Sequence, residues 1–121
     1  MVSCWSNMSE SDWNYLCQML EIGQKGLDIS ASISRQNYDE GDSLQLALAQ
    51  VIQGVGEAAD HVSNEFKDAY PQIPWHEIIE MQQRIVHDDM GVDDEVVWSV
   101  VTNDLQPLLD ILKVTIPPEL Q

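Results

Sequence analysis

His87, Arg84, Gln82 and Gln83 fall within six residues of one another, in a segment that also carries the adjacent carboxylates Asp88 and Asp89. A histidine can act as base or acid at neutral pH because its unperturbed pKa lies close to it. Arg84 is the one cation nearby, and the two glutamines are neutral hydrogen-bond donors. The apolar residues Ile78, Ile79, Met81, Ile85 and Val86 predict an amphipathic helix from Pro74 to about Asp89. On such a helix a three-residue separation puts Arg84 and His87 on neighbouring positions of one face. Two readings of Arg84 stand: a phosphate-contacting cation, or an ion-pair partner of Asp88 or Glu80. His87 likewise reads either as a reactive group or as a surface histidine near a helix end.

The elements that must hold this segment are helical. Ser9 or Ser11 is available to cap a first helix over roughly 12–34, marked by Trp13, Leu16, Cys17, Leu20 and Leu27 and weakened by Gly23 and Gly26. Asn37 through Ser43 reads as a loop. Leu44, Ala47, Leu48, Val51, Ile52, Val55, Ala58, Ala59 and Val62 form a broad apolar stripe on a second helix reaching about Phe66. Within it, Gly54 and Gly56 predict close approach of a neighbouring helix. Tyr70 to Pro74 breaks the chain, and Pro74 suits the first turn of the following helix. Gly91 is placed to end that helix and Asp93 to cap another from Asp94. The last helix buries Val96, Val97, Val100, Val101, Leu105, Leu108, Leu109 and Leu112, with Pro107 expected to kink or split it. No stretch alternates with period two. The fold class expected is all-α, an antiparallel bundle of four to five helices in a single domain, residues 1–121, with residues 1–11 and 114–121 as loosely ordered tails.

Charge narrows the functions available. The 121 residues hold 21 acids against Lys25, Arg35, Lys67, Arg84 and Lys113, a formal net charge of −16. Tight nonspecific binding to nucleic acid draws on phosphate neutralisation by Lys and Arg, so DNA is not an expected partner. Cys4 and Cys17 are too few for a disulfide framework, and no His/Asp/Glu set has metal-ligand spacing; no metal or cofactor is expected. With neither a leader-like opening nor an apolar run of membrane-spanning length, a cytoplasmic location is expected and membrane insertion is not.

A series of short segments, each weak alone, runs in fixed order and spacing: Gly56-Glu57-Ala58-Ala59, Tyr70-Pro71-Gln72-Ile73-Pro74-Trp75, Ile78-Ile79, Gln82-Gln83, His87, Gly91-Val92-Asp93, Val97-Trp98 and Asp104-Leu105. The series resembles the HepT-like group of HEPN proteins, small helical toxins encoded beside a minimal nucleotidyltransferase. That resemblance implies a homodimer bringing two copies of an Arg-x4-His-x-Tyr motif into one cleft, where RNA is cut without a metal. It also implies a toxin–antitoxin pair whose nucleotidyltransferase partner silences the toxin by moving AMP onto the motif tyrosine. Here Gln82 stands at the family's arginine position, Gln83 at an asparagine position, His87 at the histidine, and Asp89 at the tyrosine that would be modified.

The resemblance yields two functions for this chain. One is a metal-independent endoribonuclease, with His87 as acid or base and Arg84, Gln82 or Gln83 on the phosphate. The other is a noncatalytic dimeric module that binds the nucleotidyltransferase. Glu57 either lines the same cleft or is a buried carboxyl bonded to a neighbouring helix. Trp75 and Trp98 read as core or interface anchors, or as platforms for RNA bases.

Overall fold

The structure is a computed structural model. It describes the backbone of residues 3–87 and 91–121 and the side chains of residues 11–85 and 93–121. The apolar stripes predicted from spacing are the ones that build the core. Helix α1 (Ser3–Ala31) packs along α3 (Asp42–His61), α3 packs on α5 (Trp75–Arg84), and α7 (Leu105–Thr115) closes against α1. Leu16, Met19, Leu48, Ile52, Val55, Leu105, Leu109 and Leu112 are completely or almost completely withdrawn from solvent in one continuous cluster. Apart from one two-residue-strand hairpin, the helical architecture agrees with the periodicity that predicted it, and no described helix is long and apolar enough to cross a membrane.

Two glycines permit the closest approaches. A Cβ on Gly26 of α1 would lie 2.6 Å from Cγ1 of Val51 on α3, and one on Gly56 of α3 would lie 2.6 Å from Oε1 of Gln82 on α5. The intrinsic cost of glycine in a helix, ~1 kcal/mol against alanine, is offset where it lets two helices touch. Gly56 thus answers the close-packing expectation and identifies its neighbour as a residue of the site segment.

Several boundaries differ from expectation, each for a local reason. Helix α1 begins at Ser3, ahead of the predicted start and through part of the expected tail. The expected loop at 37–43 contains a short helix, α2 (Arg35–Glu40), because Ser34 and Asn37 cap one another reciprocally: the Asn37 backbone N–H donates to the Ser34 hydroxyl and the Ser34 N–H to the Asn37 side chain, both at 3.1 Å. The long second helix is divided at Val62. There the buried carboxylate of Asp12 accepts from the Ser63 backbone N–H (2.9 Å) and hydroxyl (2.8 Å), and Ser63 in turn caps α4 (Asn64–Ala69). Phe66 of α4 stacks with Tyr70 and meets the Trp13 ring edge-on.

Toward the C-terminus, α6 (Asp94–Ser99) runs into a π-helical turn (Val100–Asp104) before α7. The wider turn shifts the hydrogen-bond register by one residue just ahead of Pro107, with the Leu105 N–H reaching back to the Val100 carbonyl. The chain stays helical through 94–115, and its irregularity is the π-turn that ends just ahead of Pro107 rather than a split at the proline. Ile116 is fully buried, and although residues 118–121 are exposed, the Gln121 side-chain amide donates to the carbonyls of Lys113 (3.0 Å) and Ile116 (2.9 Å).

Candidate functional site

Helix α5 is positioned by its apolar face and its first turn. Ile78 and Met81 are buried with Ile85 just beyond the helix end, while the Trp75 indole N–H donates to the Tyr70 carbonyl at 3.1 Å and fixes the entry. Glu77, Gln83 and Arg84 are left on the solvent side and Gln82 half-buried against Gly56. The amide of Gln82 consequently sits in the α3–α5 seam, where a longer charged side chain would need a different path out.

The helix stops at Arg84, five residues before the predicted Asp89. Two-residue strands β1 (Val86–His87) and β2 (Gly91–Val92) then pair antiparallel, with Val86 opposite Val92 and His87 opposite Gly91. The Asp93 backbone N–H donates to the Ile85 carbonyl at 2.7 Å and closes the base of this hairpin. The Asp93 carboxylate caps α6 by accepting from Glu95 N (3.0 Å) and Val96 N (3.3 Å), as its sequence position predicted. Strands this short offer no alternation to read, which is why the sequence gives no sign of them.

This geometry corrects the placement of Arg84 beside His87 on one helical face, since the helix that would align them has already ended. The His87 backbone lies in the hairpin; its side chain, and Asp88 and Asp89 altogether, lie outside the described residues. Arg84 does not pair with Glu80, which instead lies 3.3 Å from His76. Its guanidinium donates to Asp104 at 3.2 Å, across to the π-turn, with both side chains about half exposed. Glu57 is also corrected. It is exposed on α3 rather than buried, one residue and about 100° of helix away from the Gly56–Gln82 contact. Its backbone carbonyl, not its carboxylate, makes the local contact, 2.7 Å from Nδ1 of His61.

Beside Arg84, helices α5 and α7 bound a cleft of about 350 Å³. Glu77, Glu80 and Asp104 stand on its rim with Arg84, above Met81 and Ile111. Asp104 entered the sequence reading only as one more matching segment; its role against Arg84 requires two elements 20 residues apart to meet, and no local pattern encodes that. The second feature missed is the junction of α2 with α6. There Tyr38, fully buried, donates its hydroxyl to the Asp94 carbonyl at 2.7 Å and lies 4.8 Å from the Trp98 ring. Arg35 pairs with Asp39 at 2.8 Å and with Glu95, and its guanidinium sits 5.9 Å over Trp98. The Ser34–Asn37 spacing was the available signal for it. Trp98 is thereby an intramolecular anchor, as is Trp75, which packs on Phe66 and under Lys67. Among the described residues no group of three or more His, Cys, Asp or Glu is arranged to hold a metal ion.

An all-α bundle with a polar segment at the end of α5 defines a class of small helical proteins, and comparison with known proteins refines it. The chain belongs to the ribonuclease HepT-like family, whose model matches residues 19–115. A protein of Thermococcus cleftensis named probable ribonuclease HepT is 29% identical over 101 residues, covering 84% of this chain and 92% of the relative. A candidate RNase of Methanocaldococcus jannaschii is 22% identical over 91 residues, 75% of this chain and 84% of that protein. Another protein of the same organism, named as both a gamma-glutamylcyclotransferase and a candidate RNase, is 31% identical over 101 residues, 83% of this chain but 46% of its own length. No solved structure matches the chain significantly.

Proposed function

We propose that this chain is the ribonuclease-type member of a toxin–antitoxin pair with a small nucleotidyltransferase, a homodimer whose RNA-cleaving centre at His87 is attenuated while partner binding is kept. Metal-free cleavage of RNA needs a base for the 2′-hydroxyl, an acid for the leaving 5′-oxygen and a positive charge for the phosphorane. Two copies of His87, one from each protomer, can divide the first two roles. The third is where the chain is short. Arg84 is the only Lys or Arg between Lys67 and Lys113, and its guanidinium is engaged by Asp104 at 3.2 Å in a rim that also holds Glu77 and Glu80.

The excess of carboxylates around that lone cation is the observation on which the reading rests. Gln82 and Gln83 can donate hydrogen bonds to a phosphate but bring no charge. Removing one preorganised stabiliser of transition-state charge costs roughly a hundredfold or more in rate. Asp89, in the place of the family's tyrosine, has no hydroxyl to accept AMP, and a centre that cleaves little has little need of that silencing.

The test is a metal-free ribonuclease assay on mixed RNA with the natural chain, His87→Ala and the double variant Gln82→Arg/Asp89→Tyr prepared identically. The expected result is cleavage by the double variant at least about a hundredfold faster than by the natural chain, whose rate falls near that of His87→Ala. A natural chain as fast as the double variant, with activity lost in His87→Ala, overturns attenuation and assigns the phosphate to Arg84 or the glutamines.

A further inference from the structure

We infer that the cleft between α5 and α7 is a docking site for a basic amphipathic segment of a protein partner, an inference that rests on the partner-binding reading above. Three carboxylates, Glu77, Glu80 and Asp104, edge the cleft, against the single cation Arg84. Beneath them Met81 and Ile111 give it an apolar floor. A segment with one apolar face and one row of Lys or Arg satisfies both parts at once: its apolar side chains fill the floor and its cations meet the rim. At about 350 Å³ the cleft has room for a few such side chains rather than a whole domain.

Charge decides between occupants. RNA would bring phosphates against the carboxylate rim, with Arg84 already committed to Asp104. A second copy of this chain is a poor source of the basic complement. Of its five Lys and Arg, Arg35 and Arg84 are ion-paired and Lys67 lies over Trp75, which leaves Lys25 on α1 and Lys113 on α7, two separate helices that offer no row of cations along one segment. The basic segment therefore belongs to a different protein. A cation from that partner would also compete with Arg84 for Asp104, placing partner docking next to the one positive group near the His87 hairpin.

The probe is a fluorescent amphipathic peptide of leucine and lysine at helical spacing, titrated by anisotropy at about 0.15 M salt, where long-range attraction to the acidic protein is screened. Glu77→Lys/Glu80→Lys is compared with Asp60→Lys/Glu65→Lys, exposed positions on α3 and α4 that change the net charge equally. We expect the cleft pair to weaken binding about tenfold and the control pair less than about threefold. Amide-exchange protection by the peptide is expected in 75–84 and 105–115. No binding to the natural chain, equal weakening by both pairs, or protection confined to other helices each overturns the inference. No RNA is cleaved in this measurement, so its failure leaves the attenuated-nuclease reading standing, whereas a fully active natural chain in the ribonuclease assay overturns that reading without touching the cleft.

Discussion

Two arginine–carboxylate contacts sit on either side of the site segment, and they are held in different ways. Arg35 meets Asp39 and Glu95 with Trp98 beneath it, and one turn along the same short helix the buried Tyr38 hydroxyl reaches the Asp94 carbonyl at 2.7 Å. Among the described residues, Arg84 meets Asp104 alone, at 3.2 Å and half exposed on both sides. The first junction is anchored by a buried aromatic ring and a hydrogen bond shielded from water. The second is an exposed ion pair, whose Coulomb gain is offset by side-chain ordering and screened by salt. The molecule thus fixes the start of α6, and with it the Asp93 end of the hairpin, while Arg84, on the other strand's side, is held by an exposed pair. A partner's cation can take Asp104 from Arg84 without unfolding anything, whereas a phosphate that reaches for Arg84 also meets Glu77 and Glu80.

The strongest way to break that contrast is Tyr38→Ala. It empties a fully buried site between α2 and α6, and large-to-small core changes of an aromatic cost about 3–5 kcal/mol. The measurement is urea unfolding, where the midpoint should fall well below that of the natural chain. An Ala variant as stable as the natural chain would mean that α2 is not what secures α6.

A subtler change separates the ring from its hydroxyl. Tyr38→Phe keeps the packing on Trp98 and removes the bond to Asp94, a loss of about 1 kcal/mol near neutral pH. Burial, and after it the charge of Asp94, holds the phenol of Tyr38 protonated well above its usual range. The folded state therefore resists ionisation that the unfolded chain undergoes from about pH 10 upward. The stability this contributes is complete below that pH and is lost as pH rises further. Tyr38→Phe should accordingly be less stable than the natural chain at pH 8 and lose less stability between pH 9 and pH 11. Parallel pH profiles for the two proteins would remove the hydroxyl from the account.

The same contrast explains what the sequence makes legible. Apolar spacing in Leu48, Val51, Ile52 and Val55, and again in Leu105, Leu108, Leu109 and Leu112, predicts the helices and core because burial imposes the 3.6-residue period wherever a helix has one inner face. The ordered series of short segments from Gly56 to Leu105 carries the family. What was missed depends on single polar groups meeting across long sequence gaps: Asp12 on Ser63, Tyr38 on Asp94, Arg84 on Asp104. No periodicity records these. The early end of α5 belongs to the same class, since the chain turns there to satisfy the Ile85 carbonyl with the Asp93 N–H rather than for any helix-breaking residue.

The smallest effect is expected at the exposed pair, and its smallness is the point. Arg84→Ala and Asp104→Ala should each shift stability by less than about 1 kcal/mol, and the double variant should show little coupling between them, because exposed pairs contribute little net free energy. The corresponding cycle at Arg35 and Glu95, supported by Trp98 and Asp39, should show the larger coupling of the two. Added salt should shrink both. If the Arg84–Asp104 coupling equalled or exceeded the other, Arg84 would be a fixed strut of the fold, unavailable to any phosphate. Attenuation of the His87 centre would then follow from a locked cation, and Asp104→Asn would be the change that releases it.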